Sequence, residues 1–329
     1  MVKKLNNGKT TDGLMRHIRD NHKTEIGGSR QKQELLNMGY YHGYKALRFI
    51  KKRSNDQKYE KFEQIKTIHD FDNRLKRIFY PILIQVETSL KNRLMDCLVP
   101  QENPSIEYIY NNMLVDYRRN KPGDKKYKRY LNRRLELRNK IDETIAYHYS
   151  KGNPVISHFF HNSKPVPLWA YFEVISFGEF GNFLYCLDRS YKIEFADKLG
   201  IHHSGMNQNG RIIENMVFAL TSLRNAVMHN SVIFDCRFNN DDQSNQIKSY
   251  IKNKTGVENI SFSHIEDFLI LTIFLLKSQK TSITELKKIV REFESAVKSL
   301  EKNIPNSAFF QILGTDINNK LAQVKSFIS

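Results

Sequence analysis

Apolar residues recur along most of the chain at three- and four-residue steps, the spacing of one face of an α-helix. From Phe71 the series Leu75, Ile78, Phe79, Ile82, Leu83, Val86, Leu90 and Leu94 predicts one long amphipathic helix. Pro81 lies inside it and should kink or split it, because proline removes an N–H and its ring clashes with the preceding turn. Asn103-Pro104 marks a break, and Pro122-Gly123 a turn ahead of a helix that continues to about Tyr149. Pro154, Pro165 and Pro167 bracket a connecting loop. Residues 168–187, apolar and aromatic, read as two buried helices meeting at Ser176-Phe177-Gly178. After a loop around 205–210, a helix starts near Arg211 with the stripe Ile213, Met216, Val217, Leu220, Leu223 and Val227, and ends at Asn230-Ser231. A polar loop at 239–243 precedes helices over 263–279, 281–302 and 317–327. The best strand signal, 232–234, is short, so the class is all-α. The organisation expected is an N-terminal helical region (1–55), a helical core (56–302) with a basic insertion at 111–150, and a C-terminal helical tail (303–329).

Composition narrows the setting. The chain has 329 residues, 40% of them hydrophobic, enough for a substantial core. Cys97, Cys186 and Cys236 are far apart, which argues against a disulfide framework or zinc ribbon and fits a reducing cytoplasm. Met1 to Asn7 has no apolar run behind its charges, unlike a signal peptide, and the apolar stretch 268–276 is too short to span a bilayer. The net charge of +17 predicts attraction to a polyanion. More than half of that excess lies between Tyr117 and Lys140, where eleven Lys/Arg face only Asp124 and Glu136. Tyr117, Tyr127 and Tyr130 are interleaved with these cations. Phosphate-neutralising charge beside stacking rings points to RNA contact through Arg118, Arg119, Lys125, Lys126, Tyr127, Lys128, Arg129, Tyr130, Arg133, Arg134 and Arg138. The bland alternative, a solvated helical face, requires a better charge balance. A smaller basic patch is Lys45, Arg48 and Lys51 to Arg53. A membrane-surface role is disfavoured, since the basic helix lacks a strong apolar face opposite its charges.

The candidate chemistry lies in Arg224-Asn225-Ala226-Val227-Met228-His229, about 1.5 turns of the helix that starts near Arg211. Arginine can hold a phosphate by paired hydrogen bonds, histidine can exchange a proton near neutral pH, and asparagine can orient either partner. Asn225 and His229 are four apart and share a face, while Arg224 and His229 are about 140° apart around the axis, within arginine's reach. The alternative is ordinary: a histidine at a helix C-terminus and an arginine in a surface salt bridge. His158, His161, His202 and His203 lack accompanying carboxylates or cysteines at useful spacing, so they read as surface or loop residues and no metal or cofactor is expected. Glu87 and Lys91 have the spacing of a helix salt bridge. Tyr40, Tyr41 and Tyr44 should pack the N-terminal region onto the core, and Trp169 reads most simply as a core residue.

Arg224-Asn225-x3-His229 resembles the Arg-Asn-x3-His motif of HEPN nucleases. Gly39-Tyr40-Tyr41-His42-Gly43-Tyr44 resembles the N-terminal aromatic signature of the abortive-infection (Abi, AbiD/AbiF-like) family of phage-resistance proteins. Phe71-Asp72-x-x-Leu75-Lys76 with Val86-Glu87-x-x-Leu90-Lys91-x-Arg93 is similar to that family's long central helix. Pro167-Leu168-Trp169 through Glu173 to Gly178 is similar to its Trp and Phe-Gly element. The four occur in family order, from about residue 11 to 300. Met228 departs from the small residue that often precedes the histidine, without touching the polar positions.

The resemblance implies a HEPN-type helical bundle with N-terminal and basic elaborations. It implies a metal-independent endoribonuclease of a bacterial phage-defence or toxin-type system, with Arg224, Asn225 and His229 catalytic and Glu87 and Lys91 supporting. Such enzymes commonly join two motifs across a homodimer, and this chain holds one Arg-x4-His. Its partners would then be a second copy and RNA, as substrate or as a regulatory non-coding RNA that keeps the enzyme dormant. The competing function is a non-catalytic RNA-binding protein that holds a small structured RNA. It needs the same basic face but not the intact Arg-Asn-x3-His trio.

Overall fold

The N-terminal part folds as α1 (Thr11–His22), α2 (Gly28–Met38) and a wide turn of π-helix (Tyr40–Lys45). The structure, a computed structural model, describes residues 8–99, 103–239 and 244–329. The expectations for Met1 to Asn7 and for the tip of the 239–243 loop lie outside them. Gly43 belongs to the π turn because a Cβ there would run into the backbone of Met38. The axis of the molecule is α3 (Phe62–Leu98), a continuous helix of 37 residues. It starts nine residues before Phe71 and is not split at Pro81. That proline sits on the solvent-exposed face beside exposed Arg77, so the carbonyl freed by its missing N–H can bond water.

The helices that follow are α4 (Ile106–Asn112), α5 (Lys125–Ser150), α6 (Pro154–His161), α7 (Leu168–Val174), α8 (Phe177–Cys186), α9 (Arg189–Lys198) and α10 (Ile212–Met228). The chain closes with α11 (Asn245–Thr255), α12 (Ile265–Ser278), α13 (Ile283–Asn303), α14 (Asn306–Leu313) and α15 (Ile317–Ile328). Among the described residues β-pairing is limited to isolated bridges, so the all-α class holds. Helix starts are set by side chains that cap free N–H groups: Thr10, Ser105, Asn153, Asp188, Ser244 and Ser282, with Ser176 and Glu179 forming a capping box on α8.

The prolines at 154–167 do not bracket a loop alone. Pro154 is the first residue of α6, where a missing N–H costs nothing. Residues 232–234 are not a strand: the backbone N–H groups of Ile233 and Phe234 are taken by the carboxylate of Asp72.

α10, α12 and α13 pack against α3, and α10 packs also against α8. Every residue of the α10 stripe is buried. Beyond its acidic first turn α12 is almost wholly apolar and is buried along nearly its whole length, so the apolar run at 268–276 is a core element. No helix among the described residues is long and apolar enough to cross a membrane. The three cysteines are free and buried, and burial pushes each thiol up.

Candidate functional site

α10 carries the Arg-Asn-x3-His series on its last turn and a half. Its end is built by a Schellman motif: Ser231 N–H bonds Ala226 C=O at 2.8 Å and Asn230 N–H bonds Val227 C=O at 3.2 Å, with Asn230 at φ +53°. α3 then clamps the chain beyond it. Asp72 Oδ1 accepts from Ile233 N–H at 2.7 Å and Phe234 N–H at 2.9 Å. Lys76 Nζ bridges Asp72 at 2.8 Å and Asn230 Oδ1 at 2.8 Å. The Asp72-x3-Lys76 pair therefore fixes where α10 stops. His229 is the capping residue itself, exposed, with its ring making no hydrogen bond to the described residues.

One turn and a half back, Arg224 is fixed by a different pair on the same long helix. Glu87 accepts from Arg224 Nε at 3.2 Å through one oxygen and from Lys91 Nζ at 2.9 Å through the other. Lys91 also donates to the carbonyl of Ile175 at 2.8 Å. Arg224 Nη1 reaches the side-chain oxygen of its neighbour Asn225 at 3.3 Å. Glu87 and Lys91 are thus more than a helix-surface pair: they are largely buried and orient the arginine. All three line a cleft of about 860 Å³ between α3, α5 and α7. Asn225 and His229 are exposed and outside that lining. A guanidinium held at a cleft wall beside an open imidazole at a helix end can bind a phosphate and move a proton. The three polar groups of one chain do not converge on a single point within the cleft.

The model of the family described as Abi-like protein matches residues 33–235, more than half of the chain. The chain belongs to the Abi-like protein family. Its matched span runs from α2 to the Asp72-clamped segment after His229, so it takes in Glu87, Lys91 and the whole Arg-Asn-x3-His series. The family's description connects the protein to abortive infection, a phage-defence response. No curated protein and no solved structure matches the chain.

In this Abi-like protein the basic segment divides into cations that hold the fold and cations that do not. Arg134 turns inward: it donates to the carbonyls of Leu114 at 2.8 Å and Tyr110 at 3.0 Å and lies over the Tyr110 ring at 3.9 Å. It is therefore a structural tie between α5 and the end of α4. Arg138 is paired with Glu107 and Asp142, and Arg119 with Asp188 at 3.0 Å. Tyr130 is also engaged: it stacks on Tyr185 at 5.1 Å and its hydroxyl accepts from Arg211. Burial pushes the Tyr130 phenol up, but Arg211 together with Tyr185 and Arg129, which hydrogen-bond it, leave its pKa below the usual tyrosine value. Arg129 and Arg133 are exposed over the rings of Tyr130 and Tyr185. Arg118 is exposed against Tyr117, whose ring meets Tyr127 edge-on. Lys125, Lys126 and Lys128, on the first turn of α5, are exposed and carry no ion pair among the described residues.

Two further expectations change. Trp169 is not a core residue: it is 49% exposed and lines the same cleft as Arg224. Tyr44 is buried as expected, but Tyr41 is 73% exposed. The histidine pairs lie where the sequence suggests, and no group of three His, Cys, Asp or Glu among the described residues could hold a metal. Sequence reasoning missed Tyr147 and Glu173, which line the cleft from α5 and α7. The signal for Glu173 was its spacing, four residues after Trp169 on a short helix.

Proposed function

We propose that the protein is a metal-independent endoribonuclease of HEPN type, acting in phage defence and completed by a second copy of the chain. The observation that carries the reading is the Arg224-Asn225-x3-His229 series at a clamped helix end, with Arg224 oriented by Glu87 and His229 open to solvent. The RNA supplies the nucleophile. Its 2′-OH attacks the adjacent phosphorus while the P–O5′ bond breaks. One histidine withdraws the 2′ proton and one protonates the leaving 5′ oxygen. Arg224 stabilises the charge that builds on the phosphoryl oxygens, and Asn225 braces it. The products are a 2′,3′-cyclic phosphate and a 5′-hydroxyl.

One chain offers one histidine at such a site, and His229 stands clear of the cleft, so the acid and the base come from two copies. Glu87 cannot be the base while both its oxygens are held by cations. Lys125, Lys126, Lys128, Arg129 and Arg133 hold the substrate, or a structured RNA that keeps the enzyme dormant. A second reading, RNA holding without cutting, draws on the same cations. It leaves the Glu87–Lys91 pair that orients Arg224 without a use.

Purified wild-type protein and the variants Arg224→Ala and His229→Ala, each shown to be folded, are incubated with a single-stranded RNA and its DNA counterpart in EDTA. Wild type cleaves RNA and leaves DNA intact, and each variant loses about 100-fold or more. Cleavage at the wild-type rate by folded His229→Ala protein overturns the reading.

A further inference from the structure

The cleft that holds Arg224 has the wrong charge for a phosphate channel. Four carboxylates line it, Glu87, Glu143, Glu173 and Glu179, against the cations Lys91, Lys140 and Arg224. In a chain of net charge +17 this is a local reversal. A run of phosphates would avoid it, which leaves room for no more than the one phosphate held at Arg224. The cleft's remaining features suit an unpaired base instead. Trp169, on α7, has 49% of its surface accessible, and Tyr147, on α5, lines the same cleft and is 59% accessible. Trp169 is braced edge-on by Phe159, ring centroids 5.2 Å apart. The edge contact leaves about half of the Trp169 surface open to the cleft, where a flat ring can stack on it.

Three of the four carboxylates are already used. Glu87 holds Arg224 and Lys91, Glu143 pairs with Lys140, and Glu179 accepts from Ser176 N–H and Thr144. Glu173 is exposed and has no ion pair or hydrogen bond among the described residues. It sits four residues after Trp169, on the same face of α7. A carboxylate is an acceptor only, with two oxygens side by side. Guanine is the RNA base whose Watson–Crick edge offers two adjacent donors, N1–H and N2–H, in the matching arrangement.

We propose that this cleft is a subsite for an unpaired guanine, stacked on Trp169 and read by Glu173, which seats the neighbouring phosphate at Arg224. The proposal rests on the ribonuclease reading for the role of Arg224, but the base subsite has its own readout. Trp169 is the single tryptophan of the chain, so its fluorescence reports stacking directly and independently of cleavage.

The probes are short oligouridine RNAs carrying one guanosine, inosine, adenosine or cytidine, added to His229→Ala protein so that the strand survives. Binding is followed by tryptophan quenching and, separately, by anisotropy of a labelled strand. The guanosine strand quenches Trp169 and binds on the order of ten-fold tighter than the inosine strand, which lacks the N2 amino group. Glu173→Gln keeps the quenching and removes most of the guanosine–inosine difference. Trp169→Ala weakens binding of the guanosine strand by on the order of ten-fold. The proposal is overturned if RNA binds by anisotropy without quenching, or if Glu173→Gln leaves the base preference intact. Quenching with guanosine preference in a protein that never cleaves RNA would support the subsite and remove the nuclease. Cleavage dependent on Arg224 without quenching would do the reverse.

Discussion

Asp72 offers the cleanest test of how the site is held. Its side chain is 5% exposed, and one oxygen takes two backbone N–H groups from the segment that follows His229. Ile233 and Phe234 are fully buried, so replacing Asp72 by alanine strands two buried donors. Each unsatisfied donor costs about 1–3 kcal/mol, and Lys76 loses its ion partner as well. The expected loss for Asp72→Ala is about 4 kcal/mol, a large share of the roughly 5–15 kcal/mol that a natural domain has. Asp72→Asn keeps an acceptor oxygen of the same shape but loses the charge, which accounts for about half the strength of such bonds, so it should cost about 2 kcal/mol. Urea denaturation followed by circular dichroism gives both values. Hydrogen exchange locates the effect: the amides of Ile233 and Phe234 should lose protection in Asp72→Asn while the α12 amides keep theirs. Asp72→Ala within about 0.5 kcal/mol of wild type, or Asp72→Asn as damaging as Asp72→Ala, would refute the clamp.

Other consequences are quicker to check. Burial, with Arg48, His17 and Lys45 adding positive charge nearby, lowers the His22 pKa from its usual value to about 4. The unfolded chain then binds the proton first, so this contribution to stability is present above pH 6.5 and lost as pH falls toward 4. Melting curves across that window should be less pH-dependent for His22→Gln than for wild type. Removing Lys125, Lys126 and Lys128 together should flatten the salt dependence of RNA binding by about 2 in log–log slope, whereas Arg134→Ala should leave the slope unchanged and cost about 2 kcal/mol of stability. Gly210 has φ +70°, and a Cβ there would lie 2.5 Å from the Lys192 carbonyl, so Gly210→Ala should lower stability by roughly 2 kcal/mol or more in a thermal melt.

The long-range parts of the fold were legible wherever a helix has one buried face. The α10 stripe from Ile213 to Val227 and its end at Asn230 are as the periodicity predicts. Short helices were harder, because α6 and α14 span eight residues each and are too brief for a period to repeat. Pro154 misled for a physical reason: the same residue that breaks a helix interior starts a helix well. Arg224, Glu87 and Lys91 were identified separately as candidates, and their meeting depends on how α3 and α10 cross. Trp169 and Arg134 show the limit most plainly. An aromatic residue in an apolar run looks buried and an arginine in a basic run looks solvated, yet each does the opposite. Which way a side chain points is decided by neighbours distant in sequence: Phe159 for Trp169, the carbonyls of Tyr110 and Leu114 for Arg134.

The central claim is that RNA is cut by its own 2′-OH under the control of Arg224 and His229. It is tested most directly by replacing the single ribose on the 5′ side of the mapped cut with 2′-deoxyribose and following cleavage in EDTA. The account predicts that wild-type protein cuts the all-ribose strand to a 2′,3′-cyclic phosphate and leaves the substituted strand whole at that position. Cleavage of the substituted strand at the same phosphate, or a 3′-hydroxyl product from the natural one, would contradict it.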